Sequence, residues 1–341
     1  MTRQSRTFAA ILVLALTACD LALAQAPATT ELIIDVENVV YYQSDTPDIT
    51  KLARNTDITP AIGIGVLPTQ TPNFTLNTGI GDIVAVNGQP AKGLFASRSR
   101  GMGTTRSVTP GRGIADIIRA AMREDIFEIL QPDGTHIGSI MIFGMSGGDA
   151  PPGRPSGENG NWAIVGGTGA FLGARGQAQE AGGNIPGRIA SMVEDPAYRR
   201  VNRGGTRRFV LHLVPMNAPR IVTGPRGPAV VHSRDFASVT AGNPAAPGEI
   251  LSLIASGLGP TIPGVAPGQY FPSAPLAVVS SPVIVTVNGR PAEVLAAVGY
   301  PSSYDAYQVN FRVPHDVEKG NVDIQLAVAW IADTPVTILV Q

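Results

Sequence analysis

The residues of this chain able to do chemistry sit mostly among glycines and arginines. Residues 162–176 read WAIVGGTGAFLGARG, an apolar run that enters a cluster of glycines. A dinucleotide-binding turn needs G-x-G-x-x-G and then a helix whose N-terminal amides meet the pyrophosphate. Here the residue three after Gly169 is Leu172. The stretch ARGQAQEAGGN that follows carries Gly176, Gly182 and Gly183 and has no apolar stripe, so no packed helix starts there. The pattern argues against a phosphate cradle, and the glycines need another backbone role.

GMSGG at 144–148 fits the G-x-S-x-G pattern of esterases, with the apolar run SIMIF before it. A nucleophile elbow needs a helix directly after the serine. The sequence continues GGDAPPGRP, and its prolines forbid that helix, so a hairpin end is the expected reading. His136, His212, His232 and His315 form neither H-x-H nor H-x-x-x-H, and no metal or other cofactor is expected. YRRVNRGGTRR at 198–208 concentrates arginines that suit either an anionic polymer or an exposed hairpin tip.

More telling are charges set inside apolar runs: Asp35 in LIIDVENVV, Glu128 in IFEIL and Arg175 in FLGARGQA. If residues 171–178 alternate as a strand, Phe171, Gly173, Arg175 and Gln177 share one face. Leu172, Ala174, Gly176 and Ala178 share the other. A charge on the inner face of a small barrel must be paired, and such groups tend to mark sites. Arg175, Phe171, Asp35 and Glu128 are therefore the candidate ligand-binding residues; none is assigned a catalytic role.

These residues need elements to hold them. The chain has 341 residues, 44% hydrophobic and 15% charged, with 39 Gly and 29 Pro. Such a composition predicts short strands joined by turns, hence an all-β protein, at a length that suits two domains. A net charge of −1 gives no bulk attraction to nucleic acid, and no nucleic-acid partner is expected. Residues 1–24 read as a signal peptide: the basic MTRQSR, an apolar core, and ALA at 22–24. LTAC at 16–19 also resembles a lipobox, with Cys19 as the lipidated residue. The protein is thus expected to be secreted or periplasmic, or anchored through Cys19. The soluble mature chain would hold no cysteine and no disulfide.

Strands are expected at 31–42, 61–67, 82–86, 126–130, 136–143 and 207–214, with hairpin turns at Asn87-Gly88 and 132–134. The spacing of Ile114, Ile117, Ile118, Ala121 and Met122 predicts a short amphipathic helix over 114–122. Residues 151–160 read as a long loop and 216–228 as a proline-rich linker. Residues 229–341 read as short strands spaced like a seven-strand β-sandwich, with a hairpin at Asn288-Gly289.

AIVGGTGAFLGARGQA at 163–178 closely resembles the signature of dirigent proteins and the related allene oxide cyclase barrels. The resemblance implies an eight-stranded antiparallel barrel over 30–215, in which the glycines bend and pair two strands. It also implies that the Arg of the Ala-Arg-Gly motif, Arg175 here, and pocket aspartates hold a phenolic intermediate. The tyrosine that follows the motif in that family is Gln177 here. APGEILSLIASGLGP (246–260), VIVTVNGRPAEVL (283–295) and YQVNFRVP (307–314) resemble a C-terminal domain of secreted bacterial proteins, notably from acidobacteria. That resemblance implies an Ig-like accessory module.

The function expected is that of an exported, dirigent-like barrel binding a small apolar or phenolic molecule, steering its stereochemistry without covalent catalysis. The alternative is a structural or adhesive cell-envelope protein with a solid barrel core, its Ig-like domain meeting an envelope partner. Whether the protein is an enzyme, and whether it is an oligomer, stay open at this point.

Overall fold

The computed structural model describes residues 29–44, 76–101, 121–146, 159–182, 185–191, 193–216, 218–266 and 268–341. The first sheet holds β1 (Thr30–Ser44), β2 (Leu76–Val86), β3 (Gln89–Gly101), β4 (Ala121–Leu130), β5 (His136–Ser146), β6 (Asn159–Gly167) and β7 (Arg175–Glu180). A short β8 (Arg188–Ala190) and the long β9 (Gly205–Val214) complete it. Each of β2 to β6 pairs antiparallel with the next, β7 pairs with β9, and β9 returns to β1, which also pairs with β2. The result is a closed eight-stranded antiparallel barrel. β8 lies outside the cycle and runs parallel to Val40–Tyr42 of β1.

Alternation decides what fills the barrel. Leu32, Ile34 and Val36 of β1 point inward and are buried, as do Phe127 and Ile129 of β4 and Phe209, Leu211 and Leu213 of β9. Phe95, Phe127 and Phe209 meet in a triangle with ring centroids 5.0–5.5 Å apart, a spacing at which aromatic rings attract. The lower end is tightly turned. Asn87 and Gly88 close β2–β3 with left-handed backbone, and residues 131–135 close β4–β5. At the upper end β1, β3 and β5 terminate at Ser44, Gly101 and Ser146.

The glycine cluster forms the lower corner between β6 and β7. A single 3-10 turn, Gly169–Phe171, interrupts the two strands, and Leu172 and Gly173 continue as a turn. Gly169 and Gly173 both take left-handed backbone. Gly176 has φ +139°, and a Cβ there would overlap the His212 carbonyl on β9. The missing side chains therefore let strands approach and the chain reverse, as the barrel signature implies.

The anticipated helix over 114–122 gives way where it can be seen. Ala121 and Met122 are the first residues of β4, because β4 needs its full length to pair with both β3 and β5. Residues 114–120 and the strand expected at 61–67 lie outside the described residues, as do 151–158 of the expected loop. Asn159 and Gly160 already belong to β6.

The second sheet is built from Ile250–Ser256, Val283–Val287, Arg290–Gly299, Ala306–Arg312, Gly320–Val328 and Val336–Val340, with shorter strands between. It curls on itself as a sandwich. Arg290–Gly299 pairs with Ala306–Arg312 on one leaf and with Val283–Val287 on the other, and a bulge lies between Val294 and Ala296. A strand that switches leaves at a bulge is how such corners are made. Leu251, Leu253, Val285, Val309, Phe311, Ile324 and Leu326 fill the space enclosed.

The two sheets touch at the barrel's lower end. Ala329 and Trp330 form a turn in which both residues take left-handed backbone, a conformation that costs non-glycine residues energy. Ala329 and Ile331 are buried in the barrel's apolar cluster, Trp330 packs beside them, and its Nε1 donates to Gln89 Oε1 at 3.0 Å. Gln131 Nε2 donates to the Ser280 carbonyl close by.

Two outcomes follow from this geometry. Gly176→Ala should lower stability by at least about 2 kcal/mol in urea denaturation, from left-handed strain and the clash with the His212 carbonyl. A value within 0.5 kcal/mol of wild type (about the scatter of neutral surface changes) would mean the corner adapts freely. Burying Ile331 is worth about 1.5–3 kcal/mol. A chain ended at residue 215 should therefore melt roughly 4–10 °C below the barrel of the full protein. Equal melting temperatures would show that the contact carries no stability.

Candidate functional site

The anticipated site residues are not brought together. Arg175 opens β7 on the outer wall, exposed, with Nη1 donating to the Val165 carbonyl at 2.8 Å. Whether it faces the interior, left open by the sequence, is decided by the turn before it. Residues 171–173 do not alternate as a strand, so Phe171 folds into the barrel, 2% exposed, while Arg175 points out. Asp35 is flanked by the inward Ile34 and Val36 and so faces outward, accepting from Arg208 Nε at 2.6 Å and Nη2 at 3.0 Å. Glu128 is half-buried on the outer wall and meets His136 Nε2 at 2.7 Å across the β4–β5 hairpin.

Inside the barrel, near its upper end, is a different set of residues. Arg123 and Asp125 of β4 fall in phase with Phe127 and Ile129 and so point inward. Asp125 is fully buried and Arg123 is 9% exposed. Arg123 Nε donates to Asp125 Oδ1 at 2.8 Å, and Nη1 donates to Glu180 Oε2 at 3.0 Å. The other Glu180 oxygen lies 2.8 Å from Arg207 Nε. The guanidinium carbon stands 4.7 Å from the Trp162 ring centre, 5.5 Å from Phe209 and 6.0 Å from Phe95. A cation enclosed by ring faces gains about 2 kcal/mol when desolvated.

Electrostatics separate the two partners. Burial alone would pull the Arg123 guanidinium down, but the negative fields of Asp125 and Glu180 more than offset it and hold it charged. Burial pushes the Asp125 carboxyl up, against the opposing charge of Arg123 and a hydrogen bond from Ser97. Three buried polar atoms here have no hydrogen-bond partner among the described residues: Arg123 Nη2, Asp125 Oδ2 and Trp162 Nε1. Each such atom costs about 1–3 kcal/mol of desolvation, so three together call for an explanation. The arrangement groups a fixed cation, a buried carboxyl and aromatic faces. Among the described residues no three acidic, histidine or cysteine side chains gather as for a metal.

A signal for this site was present in the sequence. In REDIFEI the charges at 123 and 125 share the parity of Phe127 and Ile129. Four of the five arginines in the run at 198–208 are engaged in ion pairs. Arg199 and Arg200 converge on Asp82, Arg207 on Glu180 and Arg208 on Asp35.

The chain matches no family model, no curated protein and no solved structure. The site rests on its geometry, and that geometry separates two arginines. Arg123→Ala should destabilise the protein by about 3–5 kcal/mol, since it leaves Asp125 and Glu180 facing each other inside the barrel. Adding Asp125→Asn should restore part of that loss. Arg175→Ala should change stability by no more than about 0.5 kcal/mol. Urea denaturation of the three variants checks this; equal effects at 123 and 175 would refute the assignment.

Proposed function

We propose that the barrel is a non-covalent binding module whose upper end takes one small aromatic molecule, phenolic and carrying an anionic oxygen. The observation that carries this reading is the unpartnered Nη2 of Arg123, whose guanidinium stands among Phe95, Trp162 and Phe209, together with an unpartnered oxygen on Asp125, the carboxyl its Nε bonds. An anionic oxygen would complete the guanidinium's hydrogen bonds, and a ring would stack where aromatic faces already stand. Holding such a molecule in one orientation favours one approach of its reaction partner without any covalent step. In this reading the barrel is dirigent-like. Its closed eight-stranded form and the β6–β7 corner at 163–178 support the likeness. The curled second sheet is then the Ig-like accessory module. Export follows from residues 1–24, which lie outside the described residues.

A specific observation favours a second reading. The lower barrel is packed solid by Ile129, Ile137, Ile140, Leu211 and Leu213, and Arg175 lies outside it. A structural or adhesive envelope module needs no more than that. One titration separates the two. The chain has two tryptophans, so in a Trp330→Phe background Trp162 alone reports. Binding of 4-coumarate should change its emission, with a heat in calorimetry to match. Arg123→Lys, which keeps the charge but loses the fork, should weaken binding about 10- to 100-fold, the worth of a charged hydrogen bond. No heat and no emission change with 4-coumarate or cinnamyl alcohol would leave the structural reading.

A further inference from the structure

The second sheet carries a feature independent of the barrel's interior. Tyr270 and Tyr304 are 56% and 55% exposed, yet their rings stack at 4.0 Å between centroids with 29° between planes. Tyr304 borders a cleft of about 690 Å³, within the usual range of ligand sites, about 300–1,000 Å³. The cleft runs between the second sheet and the barrel's lower corner, where Leu172 and Met216 form its far wall.

The tyrosines are held rigidly. Phe271 N donates to the Ser303 carbonyl at 2.8 Å, and Ser302 N donates back to the Phe271 carbonyl at 2.9 Å. The Ser303 hydroxyl reaches the carbonyls of Tyr300 and Ala306. Phe271 is buried against Tyr307, whose hydroxyl donates to the Gly259 carbonyl at 2.7 Å. Gly299 cannot carry a side chain, because a Cβ would overlap the Phe271 ring. Two loops are thus locked to each other, and the exposed rings lose little freedom when something stacks on them.

The lining states the chemistry of the occupant. Asp305 and Arg220 balance each other in charge, Gln269 and Thr261 supply neutral polar groups, and the aromatic and aliphatic side chains supply flat apolar surface. A strongly charged ligand gains nothing net from such a wall, and a lipid chain would desolvate its polar groups without return. A neutral molecule with many hydroxyls and apolar C–H faces meets both halves of the lining, its C–H edges lying on the negative face of a tyrosine ring. We infer that this cleft is a carbohydrate-binding site for a neutral glycan, with Tyr304, backed by Tyr270, as the stacking platform.

Calorimetry on the full mature chain with cellohexaose and chitohexaose tests the inference. One of the two should bind, and Tyr304→Ala should weaken it about tenfold, the worth of one aromatic stack, while thermal melting stays at the wild-type value. Binding of neither sugar, binding that survives Tyr304→Ala, or a preference for anionic polygalacturonate over both would overturn it.

Discussion

A closed sheet has an inside, and a side chain on an inward position must either pack against its neighbours or be paired. That constraint governs the first sheet of this protein. Each barrel strand has both edges bonded, so period-two alternation sends every second residue into one shared space. Most of those positions carry Leu, Ile, Val or Phe. Arg123 and Asp125 are charged and stand on the same inner face. They are tolerable only as part of a balanced set, with Glu180 and Arg207 completing two charges of each sign. The rings of Trp162, Phe95 and Phe209 then hold the guanidinium where water would otherwise have been needed.

The barrel is consequently unlike at its two ends. The lower end is sealed by tight turns, by Phe171 and by the turn at 329–331, all apolar inside. The upper end holds the ionic cluster and its unpartnered atoms. Packing and polarity divide along the barrel axis, so stability can come from one end while the other keeps groups that a pure core would have lost.

The second sheet acts on both sides of the junction. Its residues 329–331 complete the barrel's apolar cluster, and its segments at 257–266, 268–271 and 304–307 face the barrel's lower corner across the cleft. A sandwich that switches leaves through one bulged strand can send turns toward its neighbour while keeping its own core closed.

The sequence alone determined whatever follows from local chemistry. Glycine and proline content with short β-branched runs required strands and turns, and the Asn-Gly pairs at 87–88 and 288–289 required hairpins, because few other residues take left-handed backbone cheaply. The failure of 162–176 as a phosphate loop was equally local, since no helix could follow it. Asp35 was expected at a ligand, yet it alternates with the inward Ile34 and Val36, and that parity sends its carboxylate outward. Tertiary structure alone decided the phase of Arg175. The turn at 169–173 resets the alternation by an amount that depends on how β7 docks against β9, and strand counting cannot carry through it. Partners were decided at the same level. Asp35 meets Arg208 from 173 residues away because closure pairs β1 with β9, and Arg123 meets Glu180 from 57 residues away because closure sets β4 and β7 around one shared interior. Alternation along a strand is a property of the chain; which strands become neighbours is a property of the closed sheet.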